Sequence, residues 1–295
     1  MTTLAFNDAP RGPRAVVFDT ETHSNVEQRI IEAAYGYVDE QDEAPVLTEV
    51  FCQRYNPGVP IRTGAILTHG ILDEELADCP PSESFVLPED VGYAIGHNVE
   101  FDLQAAGNPP GVLPIDTLSL SRILWPDADS HKQGALLYTL HDELGLTRPQ
   151  VRDLVKNAHG AAADIGMCAQ LYGVILRHVR PVLADLEDMT GRQYGILPGL
   201  HLLSLAPKLP LKMTFGKHEG MPAKSVPWSY KDWYINKAEN NDPWVVMAMT
   251  EGGNSPESKA CYEKLAPIAE MLAARQADPG QAEQHNWQAP LFKPA

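Results

Sequence analysis

Basic side chains are in short supply in this sequence: 23 Lys and Arg stand against 39 Asp and Glu, a net charge of −16. Proteins that coat duplex nucleic acid do so through basic surfaces that displace counterions, so a general electrostatic coat is excluded. Cysteine is scarcer still. Cys52, Cys79, Cys168 and Cys261 are far apart, form no CxxC pair and have no His at zinc-ligand spacing. That excludes a disulfide framework and a zinc finger, and it is the pattern of reduced thiols. No apolar run approaches the roughly 18 residues needed to span a bilayer, and the first residues, MTTLAFNDAPRGPRAV, hold no basic segment followed by a hydrophobic one. The expectation is a cytoplasmic protein without a membrane partner. What the 295 residues do have is 44% hydrophobic side chains, enough for a core in one large domain or two ordinary ones.

The acidic excess is uneven. Residues 1–180 hold 26 acids and 12 bases, whereas residues 181–295 hold 13 and 11. The first part alternates strand and helix patterns. AVVFDTET (15–22), IIEAAYGYVDE (30–40) and PVLTEVFCQRY (45–55) read as successive strands, and GYAIGHN (92–98) as a short buried one. VEFDLQAAG reads as a helix capped by Asn98 and ended by Gly107; PIDTLSLSRILW as a strand entering a helix; GALLYTLHDELGL as another helix. A long helix is expected from about Ala161 to Val179. Three strands in a meander followed by β/α alternation imply an α/β fold, a mixed sheet with helices on its faces.

After Arg180 the texture changes. A helix, PVLADLEDMTG, precedes a Pro- and Gly-spaced connector, a hairpin (LKMTFGKHEGMPAKSVP) and an aromatic helix (WSYKDWYINKA). Ser255 and Pro256 start one more helix, which Pro267 should bend, and the end has the composition of a flexible tail. The expected division is an N-terminal extension (1–14), a main domain (15–180), a connector (181–210), a small α+β module (211–275) and a tail (276–295).

Four carboxylates and one imidazole are the candidates for chemistry. Alternate residues of a strand point the same way, so Asp19 and Glu21 share one face at the end of the first strand. Asp102 falls in the first turn of the helix after GHN, where the helix dipole favours an anion. Asp164 is in register with Cys168, Leu171 and Ile175, at offsets of four, seven and eleven, so it shares the apolar face of the long helix and should point at the sheet. A carboxylate so placed needs a proton, a cation or a metal. His159 stands just before that helix, where its ring can reach over the acids. Asp116 and His141 are read as structural.

FDTET, HNVEFD and HGAAAD resemble, in order, the DxE, HNxxFD and HxAxxD motifs of the DEDDh superfamily of 3′→5′ exonucleases, and ILTHGI (66–71) resembles its HGI segment. The resemblance implies a ribonuclease H-like fold with a mixed five-stranded sheet flanked by helices. It also implies that Asp19, Glu21, Asp102 and Asp164 hold two metal ions, with His159 as general base. Hard oxygen donors without thiolate suit Mg²⁺, with Mn²⁺ as a substitute. Two such ions about 4 Å apart activate a water and stabilise the leaving 3′ oxygen. A near-neutral imidazole suits taking the proton from that water.

DMTGRQY, MTFGKHEGMPAKSVP and YKDWYI, with ILWPD in the core, resemble exodeoxyribonuclease X-like proteins, where an FGKxxG hairpin follows the core. From Leu205 to Glu239 six lysines face three acids and alternate with aromatics. Lys212, Phe215, Lys217, Trp228, Tyr230 and Trp233 are the candidate contacts to a single strand, by phosphate pairing and base stacking. Gln288, Leu291 and Phe292 in QAPLF resemble the short peptide by which bacterial proteins engage the sliding clamp. The expected activity is metal-dependent 3′→5′ hydrolysis of DNA to nucleoside 5′-monophosphates, in repair or end-trimming. The alternatives are an exoribonuclease on the same fold, with RNA as partner, and a non-catalytic nucleic-acid or sliding-clamp adaptor.

Overall fold

The computed structural model describes residues 10–38, 45–156, 160–239, 241–253 and 255–277. They divide into two compact units that meet within one helix, at residues 201 and 202.

The first unit is built on β1 (Arg14–Thr22), β2 (Ile30–Val38) and β3 (Thr48–Arg54), followed by α1 (Thr63–His69), β4 (Val91–Gly96), α2 (Val99–Ala105) and β5 (Leu113–Asp116). Four helices complete its core: α3 (Thr117–Leu124), α4 (Gln133–Thr139), α5 (Arg148–Lys156) and α6 (Ala161–Thr190). The five strands form one sheet in the order β3-β2-β1-β4-β5. β2 runs antiparallel to both β1 and β3, while β4 is parallel to β1 and to β5. β1 is central and covered on both faces, which is why AVVF is a continuous apolar run with no alternation. β3 is an edge strand with no fully buried residue.

One face of β1 carries Val16 and Phe18, which join Val99 and Leu103 of α2 in a core that includes a stacked Phe18–Phe85 pair. The other face carries Val17, Asp19 and Glu21, and α6 packs over β1 and β2 there. At the end of β4, Gly96 allows the turn into α2 to pass close to β1: a Cβ on it would lie 2.8 Å from the Phe18 carbonyl oxygen. Asn98 occupies the N-cap position of α2, but in a left-handed conformation (φ 75°) and without the expected side-chain cap. Asn tolerates that geometry, which the sharp strand-to-helix turn requires.

The expected helix break before Pro181 does not occur, because α6 continues to Thr190 with Pro181 inside it. Val179, Val182, Leu183 and Leu186 are all buried, so the apolar stripe runs through the proline. Burying several such side chains at about 1.5–3 kcal/mol each outweighs the roughly 3 kcal/mol that an interior proline costs. The helix read across GALLYTLHDELGL is cut to α4, whose backbone caps at Leu140.

α7 (Ile196–Leu205) leads into the second unit, which contains α8 (Trp228–Lys237), α9 (Pro243–Thr250) and α10 (Pro256–Ala277). α9 packs against both α8 and α10. The expected hairpin reduces to a single antiparallel bridge, Lys212↔Pro222, flanked by bonds from the Met213 and Gly220 amides to the Met221 and Met213 carbonyls (2.9 and 2.8 Å). Pro222 has no amide hydrogen to extend the ladder. Among the described residues, no helix is long and apolar enough to cross a membrane.

Candidate metal centre

β1 delivers Asp19 and Glu21 to its C-terminal end, and the first turn of α6 delivers Asp164 to the same place. One ligand atom from each of the three lies within 4.8 Å of the others. Asp102 arrives from the opposite side, on α2, and is almost fully buried. Thr20, between the two β1 acids, holds it: the Thr20 amide and hydroxyl both donate to Asp102 Oδ1, at 2.9 and 2.8 Å. Those two bonds occupy one carboxylate oxygen. His159 lies outside the described residues, as do Gln288, Leu291 and Phe292.

The electrostatics are those of crowded anions. Burial pushes the Asp19 carboxyl well above its ordinary range, and Asp102, Asp164, Glu21 and Glu32 push it further. Glu21 is raised to about 8 by burial, then by Asp164, Glu32 and Asp102. Asp102 is raised to about 7 by burial, against the opposing pull of its Thr20 hydrogen bonds. Such a cluster calls for protons or cations. Its donors are hard carboxylate oxygens, which fit Mg²⁺ or Mn²⁺ and contain no thiolate to favour a softer metal.

A pH dependence follows. For Glu21, Asp19 and Asp102 the folded pKa lies above the unfolded one, so the metal-free native state binds more protons than the unfolded chain. For Asp102 and Glu21 this stabilising protonation is complete below about pH 4 and is lost as pH climbs through about 7 and about 8, and Asp19 acts in the same direction. The melting temperature in EDTA is therefore expected to fall between pH 5 and 8, and to fall less in Glu21→Gln. Equal slopes for the two proteins would show that Glu21 is not the strained group described here.

Two further acids stand by the cluster, of which the sequence singles out only Asp116. Asp116 caps α3 through the Leu118 amide (2.9 Å) and also accepts from the Asn98 amide (2.9 Å), fixing the GHN turn from β5. This agrees with a structural role. Glu32 on β2, opposite Glu21 in the strand register, is buried beside the acids and is bonded to Arg54.

In the second unit the candidate contacts separate. Lys212, Phe215, Lys217, Trp228 and Trp233 are exposed, Trp228 by 71%. Tyr230 is not: it is buried in an aromatic cluster with His218 and Tyr234, so its ring serves packing rather than a ligand. The Lys217 Nζ sits 5.5 Å from the centre of that ring.

A mixed 3-2-1-4-5 sheet with acids at the end of its central strand is the ribonuclease H-like fold. No family model matches the chain, and no curated protein matches it. Among solved structures it is similar to exonuclease X in complex with 5′-overhanging duplex DNA, at 25% identity and a TM-score of 0.46, over 64% of this chain and 99% of that one. It is similar to exonuclease I at 14% identity and a TM-score of 0.49, over 95% and 74% of the two chains. A third similar structure is the zinc-bound form of an E. coli ExoI–single-stranded DNA complex, at 15% identity and a TM-score of 0.48, over 96% and 75%.

Proposed function

We propose that this protein is a divalent-metal-dependent 3′→5′ exonuclease that hydrolyses DNA to nucleoside 5′-monophosphates, in repair or end-trimming. The observation that carries the reading is the convergence of Asp19, Glu21 and Asp164 within 4.8 Å in a setting where Asp102 and Glu32 add further negative charge. Asp19, Glu21, Asp102 and Asp164 would hold two ions, which when bound supply an activated water and neutralise charge building on the phosphodiester. Thr20 keeps Asp102 oriented by occupying its Oδ1. The His159 imidazole takes the proton from the attacking water, a role that suits a group titrating near neutrality. The 3′→5′ direction rests on the resemblance of the three motifs to the DEDDh exonucleases.

The second unit supports a role in holding the substrate. Phe215, Trp228 and Trp233 expose ring surface, and Lys212 and Lys217 lie in the same segment with their side chains in solvent. Base stacking on an exposed ring contributes about 1–3 kcal/mol. Trp233→Ala is therefore expected to weaken single-stranded DNA binding by about tenfold or more. Unchanged binding in fluorescence anisotropy, for Trp233→Ala and Trp228→Ala alike, would remove the surface from the account.

The test of the function itself uses 5′-labelled single-stranded DNA, duplex DNA and RNA of one sequence, with and without Mg²⁺. A ladder that shortens from the 3′ end, on DNA and only with metal, is expected. Intact substrate under both conditions would favour the adaptor reading.

A further inference from the structure

Glu32 is an acid in the middle of the apolar run IIEAAYGYV of β2, and it is only 7% exposed. Both of its oxygens are engaged. Oε1 accepts from the Arg54 Nε at 3.0 Å, and Oε2 accepts from the Ala161 amide at 2.8 Å. Arg54 is held in turn by Glu75 (2.8 Å), which accepts from the Leu72 amide through its other oxygen (2.8 Å). Glu21, Glu32 and Arg54 therefore form a row across three strands on the face that α6 covers.

The bond to Ala161 carries the consequence. Ala161 is the first residue of α6, and Gly160 at the N-cap offers no side-chain cap of its own. The first turn of a helix has amides without intrahelical partners. Here one of them is satisfied by a carboxylate 129 residues away in sequence, fixed to the strand beside Glu21. Asp164 lies in that same first turn. The separation of Asp164 from Asp19 and Glu21 is thus tied to the Glu32–Ala161 bond.

We propose that Glu32 is a positioning residue: it holds the first turn of α6 at the distance from β1 at which Asp164 completes the metal centre, while Arg54 engages its remaining oxygen. This rests on the reading of the acids as metal ligands. Residues behind a metal's own ligands typically change affinity by about 10–100-fold when lost.

Mn²⁺ alone, titrated calorimetrically into the full chain, tests it. Glu32→Ala is expected to bind Mn²⁺ about 10–100-fold more weakly, with its rate recovering at raised Mn²⁺. Glu32→Gln keeps an acceptor for the Ala161 amide and is expected to restore most of the affinity. Ala161→Pro removes the donor without touching Glu32, at the first helical position, where proline is best tolerated, and is expected to behave like Glu32→Ala. This variant decides the question if Glu32→Ala does not fold. Wild-type affinity in Glu32→Ala or Ala161→Pro would overturn the inference. A loss in Glu32→Gln as deep as in Asp164→Asn would also overturn it, by making Glu32 a ligand. Wild-type protein that binds no Mn²⁺ would overturn the reading of the site, and this inference with it.

Discussion

Asn in place of Asp19 is expected to bring DNA hydrolysis to background and to abolish the stabilisation that Mg²⁺ gives, without lowering the melting temperature in EDTA. The three effects share one cause. Asp19 is buried among carboxylates that push its pKa up, so its ionised form costs stability unless a cation is present. Asn has the same shape and no charge, and removes that cost along with the ligand. A metal at 100 times its dissociation constant stabilises the native state by about 2.7 kcal/mol. At about 2.1 cal/mol/K of unfolding entropy per residue, that corresponds to a rise of about 4 °C for a chain of 295 residues. Wild type is expected to show this gain and Asp19→Asn little of it, by calorimetry with and without Mg²⁺. A large drop in the EDTA melting temperature of Asp19→Asn would mean that the carboxylate has a stabilising cationic partner, which is incompatible with the site as described.

Replacing His159 with Ala is expected to slow hydrolysis by about 10²–10⁴-fold, the usual contribution of a general base, with Mn²⁺ affinity unchanged. The separation of the two readouts is what distinguishes a proton acceptor from a ligand. His159 immediately precedes Gly160, the N-cap of the helix that carries Asp164. At saturating Mn²⁺ an imidazole that accepts a proton should also impose an acidic limb on the rate, and that limb should move or vanish in His159→Ala. A variant that loses Mn²⁺ binding with its activity would reassign His159 to the metal, and a variant at the wild-type rate would leave the reaction without its base.

Much of the site could be read from the sequence because its geometry is local. Period-two alternation places Asp19 and Glu21 on one face, and helical spacing puts Asp164 in line with Cys168, Leu171 and Ile175, all three buried in the structure. The five strands were also legible, since each is a bounded apolar or β-branched run. Their order in the sheet was not, because pairing of β1 with β4 joins segments nearly eighty residues apart. What stayed hidden is similarly non-local. Glu32 looked like one acid in a strand, although an acid within a buried apolar run is itself a signal that it has partners. Its partners, Arg54 and the Ala161 amide, come from another strand and a distant helix. Pro181 signalled a break that buried Val and Leu on both sides of it overrode. In α8 the aromatic run did not reveal its own division into buried Tyr230 and Tyr234 and exposed Trp228 and Trp233, which depends on what each face meets.

Acids from β1, α2 and α6 are proposed to surround a pair of divalent ions. Anomalous diffraction from crystals soaked in Mn²⁺ tests it most directly. Manganese peaks are expected there, bounded by Asp19, Glu21 and Asp164, with Asp102 contributing its Oδ2. A map with no peak there, or with these carboxylates paired to lysine or arginine, would contradict it.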